Sequence, residues 1–207
     1  MAARSSTKKK ILRAAIDCFA AKNYKYCTMR EIAERIDITA TGIYRHFKSK
    51  QEILTDIFDY YKINFNKYRT PIGSVVKSVD EAPIGAVFKM LFFDFGTEEE
   101  REVMLKITRI IIDLKLENAE AKKIFISTFI DEPTEYLHTV FSRLISSGKI
   151  RPFNYKTWAF QMISFANMSL ILALMNQVSQ KELDRIYHEG IELLAKSFEN
   201  EYMSGKI

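Results

Sequence analysis

The stretch of sequence that decides the fold runs from residue 28 to residue 47 and reads TMREIAERIDITATGIYRHF. Thr28 followed by Glu31 is typical of a capped helix start, because each side chain can bond the backbone amide of the other residue. Apolar residues at helical spacing give this helix and the next one a buried face, and they are Ile32, Ala33, Ile36, Ile43 and Phe47. Only residues 37–39 separate the two helices. The stretch therefore predicts a helix-turn-helix.

The second helix of this unit has few apolar residues to bury. Thr39 is expected to cap its start. Ala40, Thr41 and Arg45 are expected to face outward, and small outward residues let a helix enter the major groove of DNA. Groups suited to phosphate surround the unit. The predicted DNA contacts are Thr28, Arg30, Thr39, Ala40, Thr41, Gly42, Tyr44, Arg45, His46, Lys48 and Lys50.

Helical periodicity continues along the rest of the 207 residues. Further helix starts follow the same rule of Ser or Thr with Glu three residues later, and they are predicted at Ser49, Thr97 and Ser179, with a weaker one at Ser78. The predicted helices cover residues 7–22, 29–36, 40–47, 50–69, 83–94, 98–116, 119–147, 155–178 and 180–202. A bend or a break is expected at Glu132–Pro133, and residues 70–78 are the candidate linker. The predicted fold is all-α, with about nine helices.

Positive charge is concentrated at the N-terminal end. Residues 1–50 carry twelve Lys and Arg against four Asp and Glu, a balance of +8, and since the whole chain carries +5, the remainder carries −3. A basic head on a mildly acidic body indicates a polyanionic partner, although a solvated basic face would give the same count.

Composition excludes several classes of protein. With 47% apolar and 13% aromatic residues, 7 Gly and 4 Pro, the chain is neither disordered nor fibrous. Two cysteines cannot staple a small secreted domain, so we expect a reducing, cytoplasmic setting. The residues from Thr157 to Gln180 carry no charge, but four polar side chains interrupt the mostly apolar part, Trp158–Met175. A helix buried between protein surfaces is expected there, and no membrane partner.

Motifs of catalysis and metal binding are missing from the sequence. His46, His138 and His188 are scattered, and neither Cys18 nor Cys27 stands at a metal-ligand spacing from them. The sequence has no Gly-rich phosphate loop, no G-x-S-x-G and no H-E-x-x-H. We therefore expect no enzyme, no catalytic residue, no metal and no cofactor. Cys18 is expected to be a buried thiol, and whether Cys27 senses redox state stays open.

Residues 7–54 closely resemble the N-terminal domain of TetR-type (tetracycline-repressor-like) transcriptional regulators. The resemblance rests on ILRAAIDCFA, TMREIAER and GIYRHFKSKQEIL, and SSGKIRPF at residues 146–153 resembles the join between the family's seventh and eighth helices. Asn23 and Asp37 stand where the family usually has Gly. Both positions are expected to need a left-handed backbone, which Asn and Asp tolerate best after Gly.

The resemblance implies two domains. Residues 1–50 would form a three-helix, helix-turn-helix DNA-binding domain, and residues 51–207 a helical domain for effector binding and dimerisation. The implied function is sequence-specific regulation of transcription: a repressor binds a palindromic operator in double-stranded DNA as a homodimer and is released by a small apolar or aromatic effector. Half-sites one helical turn apart suit a twofold dimer. The sequence names neither operator, regulated genes nor effector, and it leaves activation as the alternative to repression.

The C-terminal body holds more aromatic and Met residues than a plain helical core needs, although such stripes are more often core than pocket. The predicted pocket residues are Phe88, Phe92, Met104, Phe125, Phe129, Trp158, Met162 and Phe165. The predicted dimer interface consists of Met168, Leu172, Leu183, Ile186, Tyr187, Gly190 and Leu194. Gly190 weakens a helix, and a close approach of helices is one reason to keep it.

Two other functions fit the same features. A helical lipid-binding or membrane-surface protein could use the basic head and the aromatic body. An all-α binding protein could use the helix-turn-helix for protein contacts alone. Steep loss of binding to a defined DNA duplex with rising salt would separate both from a DNA-binding regulator.

Overall fold

The computed structural model describes residues 2–91, 97–175 and 180–202. The fold is all-α, as predicted, and the α-helices are α1 (Ala2–Lys22), α2 (Met29–Glu34), α3 (Ala40–Tyr44), α4 (Lys50–Phe65), α5 (Ile72–Glu81), α6 (Ile84–Met90), α7 (Glu98–Leu114), α8 (Ala119–Ile126), α9 (Glu132–Ser146), α10 (Tyr155–Leu174) and α11 (Gln180–Tyr202). A π-helical turn, Ser127–Asp131, joins α8 to α9. Short 3₁₀ turns, Tyr24–Tyr26 and Asn66–Tyr68, follow α1 and α4.

The predicted linker at residues 70–78 is wrong, because α5 occupies most of it. Val75 and Val79 lie one helical turn apart and are fully buried, so packing stabilises the helix despite its Gly73. Pro71 stands directly before the first helical residue, where a missing amide costs no hydrogen bond. Ser78 consequently lies inside α5 and starts no helix.

The predicted break at Glu132–Pro133 takes the form of the π-helical turn. The amide of Glu132 donates to the carbonyl of Ser127, five residues earlier. Such a widened turn makes room before Pro133, whose ring would otherwise meet the carbonyl of the preceding turn. The backbone hydrogen bonds change here from a spacing of four residues to one of five, and the chain stays helical.

The first compact unit comprises residues 1–67 and 95–125. In it α1 packs against α2, α4 and α7. Its buried residues include Phe19, Ile32, Leu54, Ile57, Met104, Ile107 and Ile111. A buried pair, Tyr61 and Thr108, places two hydroxyl oxygens 3.2 Å apart between α4 and α7. Lys106 of α7 also donates to Asp17 of α1 at 2.7 Å.

The second compact unit comprises residues 68–94 and 126–207. Its core is made by α5, α6, α9, α10 and α11, and the buried residues include Val75, Val79, Val87, Leu137, Val140, Phe141, Leu144, Met162 and Phe198. Phe141 lies at the centre, with its ring centroid 5.8 Å from that of Phe198 and 5.7 Å from that of Phe153. Tyr136 donates to the carbonyl of Thr70, and Lys149 to that of Ala82.

Packing groups the helices differently from the predicted division at residue 50. Helices α4, α7 and α8 belong with the N-terminal helices in the first compact unit. The assignment of DNA binding to residues 1–50 and of effector binding to residues 51–207 stays a prediction. Within the described part of the chain, no helix combines the length and the apolar character that crossing a membrane requires.

Candidate nucleic-acid interface

The start of α2 is fixed by the predicted capping box. The Glu31 amide donates to Thr28 Oγ1 at 3.2 Å, and the Thr28 amide donates to the Glu31 carboxylate at 2.8 Å. Lys22, at the end of α1, donates to the same carboxylate at 2.5 Å. The Lys22 ammonium and the Thr28 amide and hydroxyl together lower the pKa of Glu31 to about 2. The first helix of the motif is thus tied at its beginning to the end of α1.

The turn between α2 and α3 contains Asp37, whose backbone is left-handed as predicted. Asp37 has φ 54°, and the amides of Ile36 and Ile38 both donate to the carbonyl of Ala33. Asn23, between α1 and the 3₁₀ turn, has φ 70°, and its side chain accepts from the Lys25 amide. Both departures from glycine therefore keep the backbone that the motif requires.

Helix α3 is anchored on one face and open on the other. Thr39 caps it as predicted, with Oγ1 accepting from the Gly42 amide at 3.1 Å. Ile43 is 0% and Phe47 1% exposed, so the two apolar residues hold the helix in the core. Thr41, Tyr44 and Arg45 are exposed on the outside. The helix is shorter than predicted, and residues 45–47 continue as a turn.

The other predicted DNA contacts lie around this open face and differ in how far they are exposed to solvent. Thr28, Arg30, Thr39 and Lys48 are exposed, whereas Ala40, Gly42 and His46 are half-buried. Arg30 pairs with Glu34 at 2.8 Å, one turn along α2. Such an exposed pair contributes little and can exchange for phosphate.

Lys50, a predicted phosphate contact, bonds to the backbone of the segment before α2. Its ammonium donates to the carbonyls of Tyr24 and Cys27, each at 2.8 Å, and lies 4.4 Å from the centre of the Tyr24 ring. Desolvation by this environment lowers the pKa of Lys50. Both carbonyls are more than 20 positions away in the chain, so the local motif gives no sign of this contact.

Cys18 is buried as predicted, but the prediction that it is a thiol is wrong. Cys18 of α1 and Cys27 form a disulfide with their Cα atoms 6.1 Å apart, and both residues are 0% exposed. Among the described residues, one group of three metal-binding side chains comes together, consisting of these two cysteines and Glu31. The sulfurs in it are bonded to each other. The spacing of nine residues does not reveal the pairing, since α1 must end and the chain must turn back first.

The predicted pocket residues fall in both compact units. Met104 is buried and Phe125 half-buried in the first unit, whereas Phe129, Trp158, Met162 and Phe165 belong to the second. Trp158 packs against the aromatic core with its ring centroid 5.4 Å from that of Phe198. Phe92 lies outside the described residues, and so does the side chain of Phe88.

The predicted dimer residues lie on α10 and α11, and an apolar stripe accompanies them. Met168 is 56% exposed, and Leu172 and Ile186 are half-buried. Sequence reasoning missed the neighbours of Met168 on the same exposed face, which are Phe160, Ile171 and Met175. Their spacing of three to eight residues was the available signal. The side chains of Leu183, Tyr187 and Leu194 lie outside the described part of the structure.

Packing within the chain itself explains the glycine at position 190. A Cβ atom on Gly190 would lie 2.2 Å from Cζ of Phe165, so the Phe165 ring of α10 occupies the space that a side chain would need. The close approach of helices that the sequence suggested is therefore present inside the second compact unit.

Comparisons with known proteins agree with this geometry. Residues 11–57 match the family model of bacterial regulatory proteins, tetR family. The uncharacterised HTH-type transcriptional regulator YerO of Bacillus subtilis is 30% identical over 147 residues, which cover 69% of this chain and 47% of YerO, so the chain spans about half the length of this relative.

Solved structures of regulators share the fold. A transcriptional regulator from Saccharomonospora viridis in complex with choline aligns with a TM-score of 0.64 at 14% identity, over 97% of this chain and 100% of that one. The complex of triclosan with SmeT, the repressor of a Stenotrophomonas maltophilia efflux pump, aligns with a TM-score of 0.59 at 18% identity, over 96% and 92%. At these identities the likeness shows the fold alone. The family match, the relative and the helix-turn-helix geometry agree that residues 11–57 are similar to the N-terminal domain of the tetR family of bacterial regulatory proteins.

Proposed function

We propose that this chain is a sequence-specific DNA-binding regulator of transcription that acts in the cytoplasm, without catalytic activity. It represses by binding a palindromic operator as a homodimer, and a small apolar or aromatic effector releases it. The observation that carries the proposal is the open face of α3, where Thr41, Tyr44 and Arg45 are exposed while Ile43 and Phe47 hold the helix in the core. A recognition helix needs this combination.

The residues of the open face divide into two roles. Thr41 and Arg45 stand on α3 and its end, where side chains reach base edges in the major groove. Tyr44 at the last position of α3, with Lys48 and Thr28 beside the helix, supplies a phenol, an ammonium and a hydroxyl for phosphate oxygens. Lys50 leaves this set, because its ammonium supports the backbone beside α2.

Selection of bound duplexes from a random DNA pool tests these roles. We expect Thr41→Ala and Arg45→Ala to change the selected sequence, and Tyr44→Ala and Lys48→Ala to weaken binding to all sequences alike. Lys122→Ala, an exposed lysine on α8, is the matched control and should change neither. Equal losses on every duplex for all four head variants would contradict the assignment. Tighter binding to anionic lipid vesicles than to DNA would favour the lipid-binding alternative.

Dimerisation through α10 and α11 is supported by the exposed apolar stripe of Phe160, Met168, Ile171 and Met175. Large apolar side chains exposed on one face of a helix are typical of an interface. We expect Ile171→Glu to shift the protein toward the monomer in sedimentation velocity. Ile63→Glu, which places the same charge on an exposed isoleucine of α4, should leave the oligomeric state unchanged. Identical behaviour of the two variants would contradict this interface.

The effector is inferred to be a small organic molecule. Choline and triclosan are bound by two regulators with the same fold, and the aromatic and Met side chains of the second compact unit suit apolar ligands. Mass spectrometry of the native protein identifies a molecule that co-purifies. That molecule should raise the thermal midpoint of unfolding and lower the affinity for the selected DNA duplex. A ligand that stabilises the protein without changing DNA affinity would contradict the effector role, because release requires a difference between the two states.

A further inference from the structure

The Cys18–Cys27 disulfide closes the segment that leads into the helix-turn-helix. It joins α1 to the residue directly before Thr28, the cap of α2. The enclosed 3₁₀ turn, Tyr24–Tyr26, contributes no buried residue, and Tyr26 is 70% exposed. The Tyr24 ring meets the Phe19 ring edge-on with the two centroids 5.0 Å apart, so the turn depends on this contact and on the bonds at its two ends.

Lys50 supplies the second of these bonds. From the first turn of α4 its ammonium holds the carbonyls of Tyr24 and Cys27 and covers the Tyr24 ring. This contact lies on the backbone of Cys27, so opening of the turn breaks it. Both cysteines are 0% exposed, and a reagent can reach the sulfurs only when the turn opens.

We propose that Cys18 and Cys27 form a redox site that sets the order of the turn and thereby the position of the start of α2, with Lys50 as the positioning residue that limits access to the sulfurs. The disulfide holds the head in its DNA-binding form. Reduction frees the turn and loosens the capped end of the recognition motif.

Hydrogen peroxide supplies the two-electron oxidation that turns the two thiolates into the disulfide. One thiolate attacks an oxygen of hydrogen peroxide, the O–O bond breaks, and the leaving hydroxide takes a proton to become water. The second thiolate attacks the resulting sulfenic sulfur, the S–S bond forms as the S–O bond breaks, and the leaving hydroxide takes a second proton to become a second water. The two sulfurs thus give two electrons to the peroxide. A dithiol such as dithiothreitol returns two electrons and becomes a cyclic disulfide.

Amide hydrogen exchange on the full-length protein tests the first part of the proposal. We expect the amides of residues 24–31 to exchange about tenfold faster after reduction with dithiothreitol, and those of α7 to stay unchanged. The Cys18→Ser/Cys27→Ser variant should match the reduced protein and should not respond to hydrogen peroxide. Equal exchange in the oxidised and reduced forms would overturn the proposal.

The rate of reduction tests the part that Lys50 plays. Thiols that appear on addition of dithiothreitol are trapped with iodoacetamide and counted by mass spectrometry. We expect Lys50→Met to speed reduction about fivefold to tenfold, because three hydrogen bonds to the carbonyls of Tyr24, Lys25 and Cys27 are lost. Lys50→Arg keeps the charge and the donors and should stay close to the native rate. Lys48→Met removes a neighbouring exposed lysine as the control. Equal rates for Lys50→Met and Lys48→Met would overturn the role of Lys50.

The consequence for DNA rests on the proposed function. At low salt, we expect the oxidised protein to bind duplex DNA of random sequence about fivefold more tightly than the reduced protein, in fluorescence anisotropy. If both forms bind DNA equally, the redox proposal fails while the proposed function stands. If neither form binds DNA, the proposed function fails, and the exchange and trapping experiments still decide whether the redox site exists.

Discussion

The helix-turn-helix and the second compact unit are held by contacts of different range along the chain. The bonds that shape residues 28–47 mostly join residues two to five positions apart, as in the Thr28–Glu31 and Thr39–Gly42 caps. In the second unit, Tyr136 and Lys149 reach carbonyls 66 and 67 positions away. The motif can thus keep one face open to a partner, whereas the second unit depends on residues brought together by the whole fold.

The largest effect is expected from removing the ring at the centre of the second unit. Phe141 is 0% exposed and contacts the rings of Phe153 and Phe198, so Phe141→Ala should lower the free energy of unfolding by about 3–5 kcal/mol. Phe160→Ala, at a 71% exposed phenylalanine of α10, is the matched control. Urea unfolding measures both, and similar losses for the two variants would contradict the assignment of Phe141 to the core.

A smaller loss is expected where two helices of this unit approach each other. Gly190→Ala should lower the free energy of unfolding by about 1–3 kcal/mol, because its Cβ atom would meet the Phe165 ring. Gly73→Ala in α5 meets no atom within 4 Å and should leave stability unchanged or slightly higher. Thermal unfolding compares the two variants. Adding Phe165→Leu to Gly190→Ala should recover part of the lost stability. If it recovers none, the loss does not come from contact between the new Cβ atom and the Phe165 ring.

A loss of about 1 kcal/mol is expected from removing the cap of the helix-turn-helix by Thr28→Ala. Thr97→Ala is a close control, because Thr97 and Glu100 form the same capping box at the start of α7. The two variants should lose similar stability in urea unfolding. Only Thr28→Ala should also weaken binding to duplex DNA. If Thr97→Ala reduced the DNA affinity equally, the helix-turn-helix would not differ from the rest of the first unit in its role in DNA binding.

The same difference of range explains how much the sequence could reveal. The caps at Thr28, Thr39 and Thr97 and the left-handed Asn23 and Asp37 depend on neighbours that the sequence displays, and all were predicted and confirmed.

Features set by distant partners were missed. Burial of Val75 and Val79 stabilises helix α5. The Lys50 ammonium bonds to carbonyls of the segment before α2. Cys18 forms a disulfide with Cys27. In each case the local pattern was ambiguous, because Pro and Gly suggested a linker, a lysine at a helix start suggested phosphate, and the cysteine spacing fitted no metal motif. Burial and pairing depend on the complete fold.

The smallest effect is expected from the pH dependence of the link between α1 and α2. The pKa of Glu31 is lowered from 4.5 to about 2, so its ionised carboxylate favours the folded state. That contribution is fully present above about pH 4.5 and is lost as the pH falls through about 2. The difference in stability between the native protein and Glu31→Gln, measured by urea unfolding, should therefore shrink across this interval. Lys22→Met removes the largest cause of the lowered pKa and should raise the lower limit of the interval while the upper limit stays at about pH 4.5. A difference that is independent of pH would mean that neither Lys22 nor Thr28 stabilises the carboxylate in the folded head.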